Sequence, residues 1–344
     1  MSGGVDSSVT AHILKEQGYE VFGVIMDLWE THGQKGQFSK FQTAKDDAQK
    51  VADKIGISLE ILDFKNDFKD KVIENFISTY QSGQTPNPCV ICNKKIKFGL
   101  LLDYAIAKGA DYLASGHYAI IDKIGNNFSL YKGNDHQKDQ SYFLSQLNQE
   151  QLSKILFPLG TYTKDKIREM AKSIGLHVAE KAESQDICFI EKNNYRGFLK
   201  QYSENVIPPG NIVNLKGEVL GKHDGLFNYT IGQRKGLGVS FSEPLYVIDI
   251  NIGSNELVIG THLERKQSEL TAEHVNFIDG VFPEKLVDIE TKVRYSAKAT
   301  LADLKKISEN KYQVHFSSAV KDITPGQSVV FYNGNQLLGG GTIH

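Results

Sequence analysis

The run Ser2-Gly3-Gly4-Val5-Asp6-Ser7-Ser8 stands directly before a helix-like stretch, Val9 to Gln17, and its reading decides the fold. Two adjacent glycines let backbone N–H groups close on an anion. The helix start behind them adds unsatisfied N–H donors and the positive end of a dipole. Ser7 and Ser8 are suited to donate to phosphate oxygens. A carboxylate at Asp6 would repel phosphate and is better suited to hold Mg²⁺. No Gly-Lys-[Ser/Thr] follows, so the loop is not of the Walker A type. The plain alternative is a glycine turn with a serine cap.

Outward from this loop the chain alternates strand-like and helix-like segments. Val21 to Met26 and Leu59 to Phe64 read as strands, with a short third strand at Tyr112-Leu113-Ala114. Thr43 to Ile55, Asp67 to Tyr80 and Ile96 to Lys108 read as helices. This alternation predicts an α/β domain with a parallel sheet covered by helices on both faces. Such sheets bind ligands beyond the carboxyl ends of their strands. Gly3-Gly4, Met26 and Ser115-Gly116-His117 would share that rim. Residues 145–203 read as mainly helical, with Thr163 to Ile174 the clearest helix. Pro208-Pro209-Gly210 breaks the pattern. Short β runs follow at Asn211 to Leu215, Leu245 to Ile250 and Glu256 to Ile259. Beyond Glu264 the texture is wholly β, with Lys292 to Tyr295, Tyr312 to Phe316 and Ser328 to Tyr332 as strands and a hairpin signal at Asn333-Gly334. The expected organisation is a nucleotide-binding α/β domain over 1–205, a small central β-rich domain over 206–263 and a β-barrel over 264–344.

Bulk properties exclude several classes. The 344 residues suit two or three domains. With 39 basic and 41 acidic side chains there is no global nucleic-acid signature, so any RNA contact must use local basic patches. No run approaches the ~18 apolar residues of a membrane span, and the N-terminus has no signal pattern. Three cysteines make a structural disulfide framework unsuitable and fit a cytoplasmic enzyme with reactive thiols. Three buried thiols would fit the count equally well.

Two of those cysteines lie in Thr85-Pro86-Asn87-Pro88-Cys89-Val90-Ile91-Cys92-Asn93-Lys94. The prolines disfavour helix, so a helix starting near Ile96 would leave Cys92 close to its N-terminus. Lys94 and Lys95 nearby should then favour the thiolate. Half a zinc site and a redox pair are the alternatives, but no second ligand pair of zinc spacing exists. The third cysteine, Cys188, has apolar and polar flanks, and a buried inert thiol is its plain alternative. A loop that activates with ATP, joined to distant cysteines, suits a reaction in which an oxygen is activated and sulfur replaces it.

Seven motifs in register, SGGVDSS, TPNPCVICNKKIKFG, SGHY, KDQSYFL, SQDICF, GQRKGLG and TPGQSVVFY…GGG, run from Ser2 to Gly341. With them the chain resembles the bacterial tRNA-specific 2-thiouridylases (the MnmA family), within the PP-loop ATP pyrophosphatase superfamily. The resemblance implies a PP-loop domain, a small central domain and a C-terminal β-barrel. The superfamily places a hydrophobic strand before the loop. Here Met1 leaves no room for one, so a misassigned start, a fragment or an absent first strand are the alternatives.

The implied reaction is 2-thiolation of the wobble uridine in tRNAs for Lys, Glu and Gln. ATP and Mg²⁺ are substrate-associated and no cofactor is permanently bound. By resemblance Cys92 is the nucleophile, and Cys188 carries a persulfide delivered by a sulfur relay protein or a cysteine desulfurase. The spacing alone does not choose between Cys89 and Cys92. ATP contacts carry over to Gly3, Gly4, Val5, Asp6, Ser7, Ser8, Met26 and Gly116. The target base falls to Asn87, Pro88 and Cys89. Contacts to tRNA fall to His117, Lys138, Asp139, Gln140, Arg294, Tyr295 and Gln327, with Arg294-Tyr295 offering a cation and a stacking ring within one strand. A surface histidine, a solvated KDQ loop and a basic hairpin tip at Arg234-Lys235 are the plain alternatives. Two other functions compete: an amide-forming PP-loop ligase resembling GMP synthetase, and an inactive RNA-binding fragment.

Overall fold

The computed structural model describes residues 1–29, 40–182, 187–191, 194–202 and 208–344. The predicted Glu183 to Asp186 part of the third cysteine motif lies outside them. Helix α1 (Val5–Glu16) leaves the glycine loop directly, with Gly4 as its N-cap. Strand β1 (Gly23–Asp27), helix α2 (Lys40–Ile55) and strand β2 (Leu59–Asp63) follow. Helix α2 buries Ala48, Val51 and Ala52, the face its spacing predicts. Strands β1 and β2 are parallel, with Met26 opposite Leu62.

Helices α3 (Lys65–Phe68) and α4 (Glu74–Gln81) are joined by a π-helical turn, Lys69–Ile73. Helix α5 (Pro88–Cys92), a π segment (Asn93–Leu100) and helix α6 (Leu101–Ala107) then form one unbroken helical run. The helix expected to start near Ile96 therefore starts at Pro88. A proline at the first helical position costs no hydrogen bond, because that N–H has no intrahelical partner. Strand β3 (Leu113–Ala114) pairs in parallel with β6 (Ile155–Leu156). Among the described residues the parallel layer is therefore two separate pairs rather than one continuous sheet. The Met1 amine contacts the Val24 carbonyl on β1.

Between β3 and β6 the chain makes an antiparallel hairpin that the sequence reading did not anticipate, β4 (Ala119–Ile124) and β5 (Asn127–Lys132). Helix α7 (Gln149–Leu152) precedes β6. Helices α8 (Lys164–Ser173) and α9 (Tyr195–Tyr202) follow it. Thr163 caps α8, accepting from the Lys166 N–H. The stretch from residue 145 is thus less helical than its composition implies.

The central unit is a four-stranded sheet in the order β8-β7-β10-β9, from β7 (Gly210–Val213), β8 (Val219–His223), β9 (Tyr246–Asn251) and β10 (Glu256–Gly260). The last unit comprises β11 (Lys266–Phe277), β12 (Lys285–Lys292), β13 (Thr300–Ser308), β14 (Lys311–Lys321), β15 (Ser328–Asn333) and β16 (Gln336–Ile343). Pairing of β11 with β16 closes these six strands into a barrel around Leu304, Val314, Val329 and Phe331. Closure removes the exposed edges that would invite aggregation. Strand β5 adds to β16, with Leu130 opposite Leu337, so the first domain and the barrel share one continuous sheet. Strand β12 ends at Lys292, so Arg294 and Tyr295 lie beyond the strand expected to carry them. No helix among the described residues is long and apolar enough to cross a membrane.

Candidate active site

Gly3 turns with φ +65°, and a Cβ there would meet the Ala44 carbonyl oxygen of α2 at 2.5 Å. Only glycine fits that turn. The Ser8 hydroxyl donates to the Gly4 carbonyl at 2.7 Å and that of Ser7 at 3.2 Å, so both hydroxyls brace the loop. Gly116 packs on the same loop, where an added Cβ would lie 2.9 Å from Asp6 Cβ. The 115–117 segment and the glycine loop thus meet, as the rim argument predicts. Met26, at the end of β1, is half-buried.

Asp6 is engaged on both oxygens. Lys164 Nζ donates to each at 2.8 Å, and the Tyr118 hydroxyl donates to Oδ1 at 2.7 Å. Lys164 is buried, and a buried ammonium requires such a partner. This donor set does not fit a resident Mg²⁺: one carboxylate, already neutralised, with an ammonium on both oxygens. Among the described residues no group of three or more His, Cys, Asp or Glu could hold a metal ion. On the other side of the loop Lys181 Nζ donates to the Gly3 carbonyl at 2.8 Å and pairs with Asp47 at 2.6 Å.

Cys92 lies in an apolar cluster that the neighbours of Cys188 join. Cys92, Ile96, Phe189 and Ile190 form its core, and Met26, Ile91 and Ile187 pack against it. The end of β1, the thiol helix and the segment carrying Cys188 therefore share one wall. Cys92 is buried, while Cys89 and Cys188 keep exposed surface. Cys92 lies inside the continuous helical run, past its first turn, where the dipole contributes little. The expected thiolate-favouring position is corrected accordingly. Withdrawal from water raises the Cys92 thiol above its ordinary value, and the opposing cation is Lys97, not Lys94 or Lys95. Lys94 instead donates to Gln146 at 3.0 Å. Desolvation, assisted by the Cys92 and Cys89 thiols, pushes Cys188 up to about 12.

The loop expected to meet the base is held from the barrel. Gln327 Nε2 donates to the carbonyls of Thr85 at 3.0 Å and Pro86 at 2.9 Å, and the Thr85 N–H donates to Pro325 at 2.8 Å. Asn87 caps α5 through the Val90 N–H, Pro88 is buried, and Cys89 faces solvent. Gln327 thus acts on the loop backbone.

Several expected RNA contacts have internal partners. Asp139 is buried and accepts from the N–H groups of Gly133 and Ser141 at 3.1 Å each. Gln140 accepts from the Tyr118 N–H at 3.1 Å. Arg294 donates to the Asp322 carbonyl at 2.6 Å and to Thr324 at 2.9 Å. Lys138 is half-buried. Tyr295 is exposed and lies 4.7 Å from the Phe143 ring centre.

His117 is buried between Phe98 and Phe157, with Nδ1 2.7 Å from the Ser115 hydroxyl. The surface position weighed for it is thus corrected. Burial holds the ring well below its ordinary 6.5, so it is neutral at pH 7. Unfolding frees it to take a proton, so the unfolded state binds more protons below about pH 6.5 and stability falls as pH drops through that point. Scanning calorimetry should show the wild type losing more thermal stability between about pH 7.5 and about pH 5.5 than His117→Gln. Equal losses would rule this titration out.

Sequence reading missed Lys164 and Tyr118. One signal was available for Lys164: a lysine at the first position of a helix opposes the dipole, which argues for a partner elsewhere.

Three family models match in order: the tRNA methyl transferase HUP domain over residues 1–192, the tRNA methyl transferase PRC-barrel domain over 196–261 and the aminomethyltransferase beta-barrel domain over 267–343. The chain is 48% identical over 343 residues to tRNA-specific 2-thiouridylase MnmA 2 of Clostridium botulinum strain Hall, covering 100% of this chain and 96% of that protein. It is 47% identical over 343 residues to MnmA 1 of strain Okra and over 347 residues to MnmA of strain Eklund 17B, again covering 100% of this chain and 96% of each relative.

Proposed function

The chain belongs to the tRNA-specific 2-thiouridylase family, and from that premise we propose how its cleft divides the work. The protein is a tRNA-uridine 2-sulfurtransferase that uses ATP to form 2-thiouridine in tRNA. The amide-forming ligase and the inactive RNA-binding fragment are not favoured by identity that runs the length of the chain.

ATP lies on Gly3, Gly4, Val5, Asp6, Ser7 and Ser8, with Met26 and Gly116 lining the nucleoside side. Mg²⁺ arrives on the phosphates as part of the substrate. The wobble uridine of tRNAs for Lys, Glu and Gln enters beside Asn87, Pro88 and Cys89. Lys138 and Tyr295 touch the RNA, while His117, Asp139, Gln140, Arg294 and Gln327 shape the surfaces that do.

The C2 oxygen of uracil is a poor leaving group. Its attack on the α-phosphorus of ATP expels pyrophosphate and leaves an adenylated base. The terminal sulfur of a Cys188 persulfide then bonds to C2, and the C2–O bond breaks with its electron pair leaving on AMP. The Cys92 thiolate attacks Cys188 Sγ, and the persulfide S–S bond breaks with its pair leaving on the base sulfur. In the second route Cys92 attacks first and frees hydrosulfide, which displaces AMP. Both end in a Cys92–Cys188 disulfide, which an external dithiol reduces. A reducing cytoplasm suits that step, and a sulfur relay protein or cysteine desulfurase reloads Cys188.

The observation supporting this reading is the single apolar wall shared by Met26, Cys92 and the residues beside Cys188. The test incubates the protein with ATP, a cysteine desulfurase and cysteine as persulfide donor, and unmodified tRNA, then digests the RNA for mass spectrometry. ATP-dependent 2-thiouridine is the expected product. Pyrophosphate release with ammonia as acceptor and no thiolated base would favour the ligase.

A further inference from the structure

We propose that Lys181 is a positioning residue of the phosphate loop: its ammonium fixes the plane of the Gly3–Gly4 peptide and so turns the Gly4 N–H toward the phosphates of ATP. The proposal rests on the reading above that this loop takes ATP. Lys181 Nζ donates to the Gly3 carbonyl at 2.8 Å. In a planar trans peptide the N–H of the next residue points the opposite way from that carbonyl. The bond that holds the Gly3 oxygen therefore keeps the Gly4 N–H facing away from the ammonium. Among the described residues the Gly4 N–H donates to no protein acceptor. It stands at the N-cap of α1, ahead of the helix's own unsatisfied donors.

Such a peptide needs a lock. Glycines flank it on both sides, and neither has a Cβ to oppose rotation of the plane between them. The Ser7 and Ser8 hydroxyls brace the Gly4 carbonyl, one peptide further on, while the Gly3 carbonyl takes its bond from Lys181. Lys181 is itself held. Asp47 Oδ2 pairs with its ammonium at 2.6 Å, and His177 Nε2 lies 2.9 Å from Asp47 Oδ1. Asp47 belongs to α2, the helix whose Ala44 carbonyl closes over the Gly3 turn, so one helix seats both the turn and its cation. An ammonium bonded to a carbonyl also polarises the peptide and makes its N–H a stronger donor. Lys181 thus serves the anion without touching it.

The test compares Lys181→Met with Lys172→Met, which removes an exposed ammonium paired with Glu180. Pyrophosphate release from ATP is followed at steady state with unmodified tRNA present. Inorganic pyrophosphate and adenosine are then titrated as inhibitors, one probing the phosphate side and the other the nucleoside side. In Lys181→Met, KM for ATP and the inhibition constant of pyrophosphate should each rise by about tenfold, the low end for a hydrogen bond to a charged group. KM for tRNA and the inhibition constant of adenosine should stay within about twofold. Lys172→Met should match the wild type, and Lys181→Arg, which restores a donor, should recover most of the affinity. Asp47→Asn frees Lys181 without removing it, so it should shift the same two constants by about threefold, and it serves if the methionine variant misfolds. A side chain that only braced the fold would lower the melting temperature and leave inhibition by pyrophosphate at its wild-type value. That result in Lys181→Met and Asp47→Asn would overturn the proposal. A wild type that neither releases pyrophosphate from ATP nor is inhibited by it would instead overturn the reading of the loop as an ATP site.

Discussion

Replacing Cys92 or Cys188 with serine should remove thiolation, by roughly 10³-fold or more, because either change would break the proposed two-thiol sequence. Serine keeps the shape of the side chain but has neither the nucleophilicity of a thiolate nor the capacity to carry sulfane sulfur. ATP-dependent pyrophosphate release and tRNA binding should stay within about twofold, since neither process uses these sulfurs. Cys89→Ser should be far milder, since the proposed transfer gives exposed Cys89 no step. The measurement is 2-thiouridine by mass spectrometry beside a pyrophosphate assay on the same samples. A Cys188→Ser protein that retains full activity with a persulfide donor would show the carrier thiol to be elsewhere.

The second large effect is at Asp6. Asp6→Asn removes the carboxylate that pairs with buried Lys164 on both oxygens and weakens the compensation of its ammonium. Breaking such a pair costs about 3 kcal/mol, and the melting temperature should fall by several degrees. Pyrophosphate release should also be lost, because the loop that receives the phosphates is no longer pinned by Lys164 and Tyr118. The double variant Asp6→Asn with Lys164→Met separates the two effects. Removing both charges should restore much of the stability without restoring pyrophosphate release. Unchanged release in Asp6→Asn alone would refute the role of this carboxylate in the nucleotide step.

Much of the site was legible because its elements are local. A glycine pair before a helix is visible in a few adjacent residues, and apolar periods of two and of three to four report burial one element at a time. The buried face of α2 follows from that logic. The logic failed where burial is decided by distant chain. His117 read as a surface residue because nothing nearby in sequence announces Phe98 and Phe157. Cys92 read as lying beside a helix start because Pro88 was taken to block a helix rather than open one. The hairpin β4–β5 had a local signal in its Gly125-Asn126 turn, and only its docking on β16, two hundred positions away, was beyond a local reading.

From the sequence alone came the glycine-pair loop before a helix, the change from α/β to β texture and the candidate thiols, since each is set by residue types a few positions apart. Only the tertiary structure decided that Asp6 is paired with Lys164 and Tyr118, that Gln327 of the barrel grips the Thr85-Pro86 backbone, and that His117 is buried between Phe98 and Phe157. Those contacts depend on which faces pack together. Packing at such separations is a sum over the whole core, so no short window of residues encodes it.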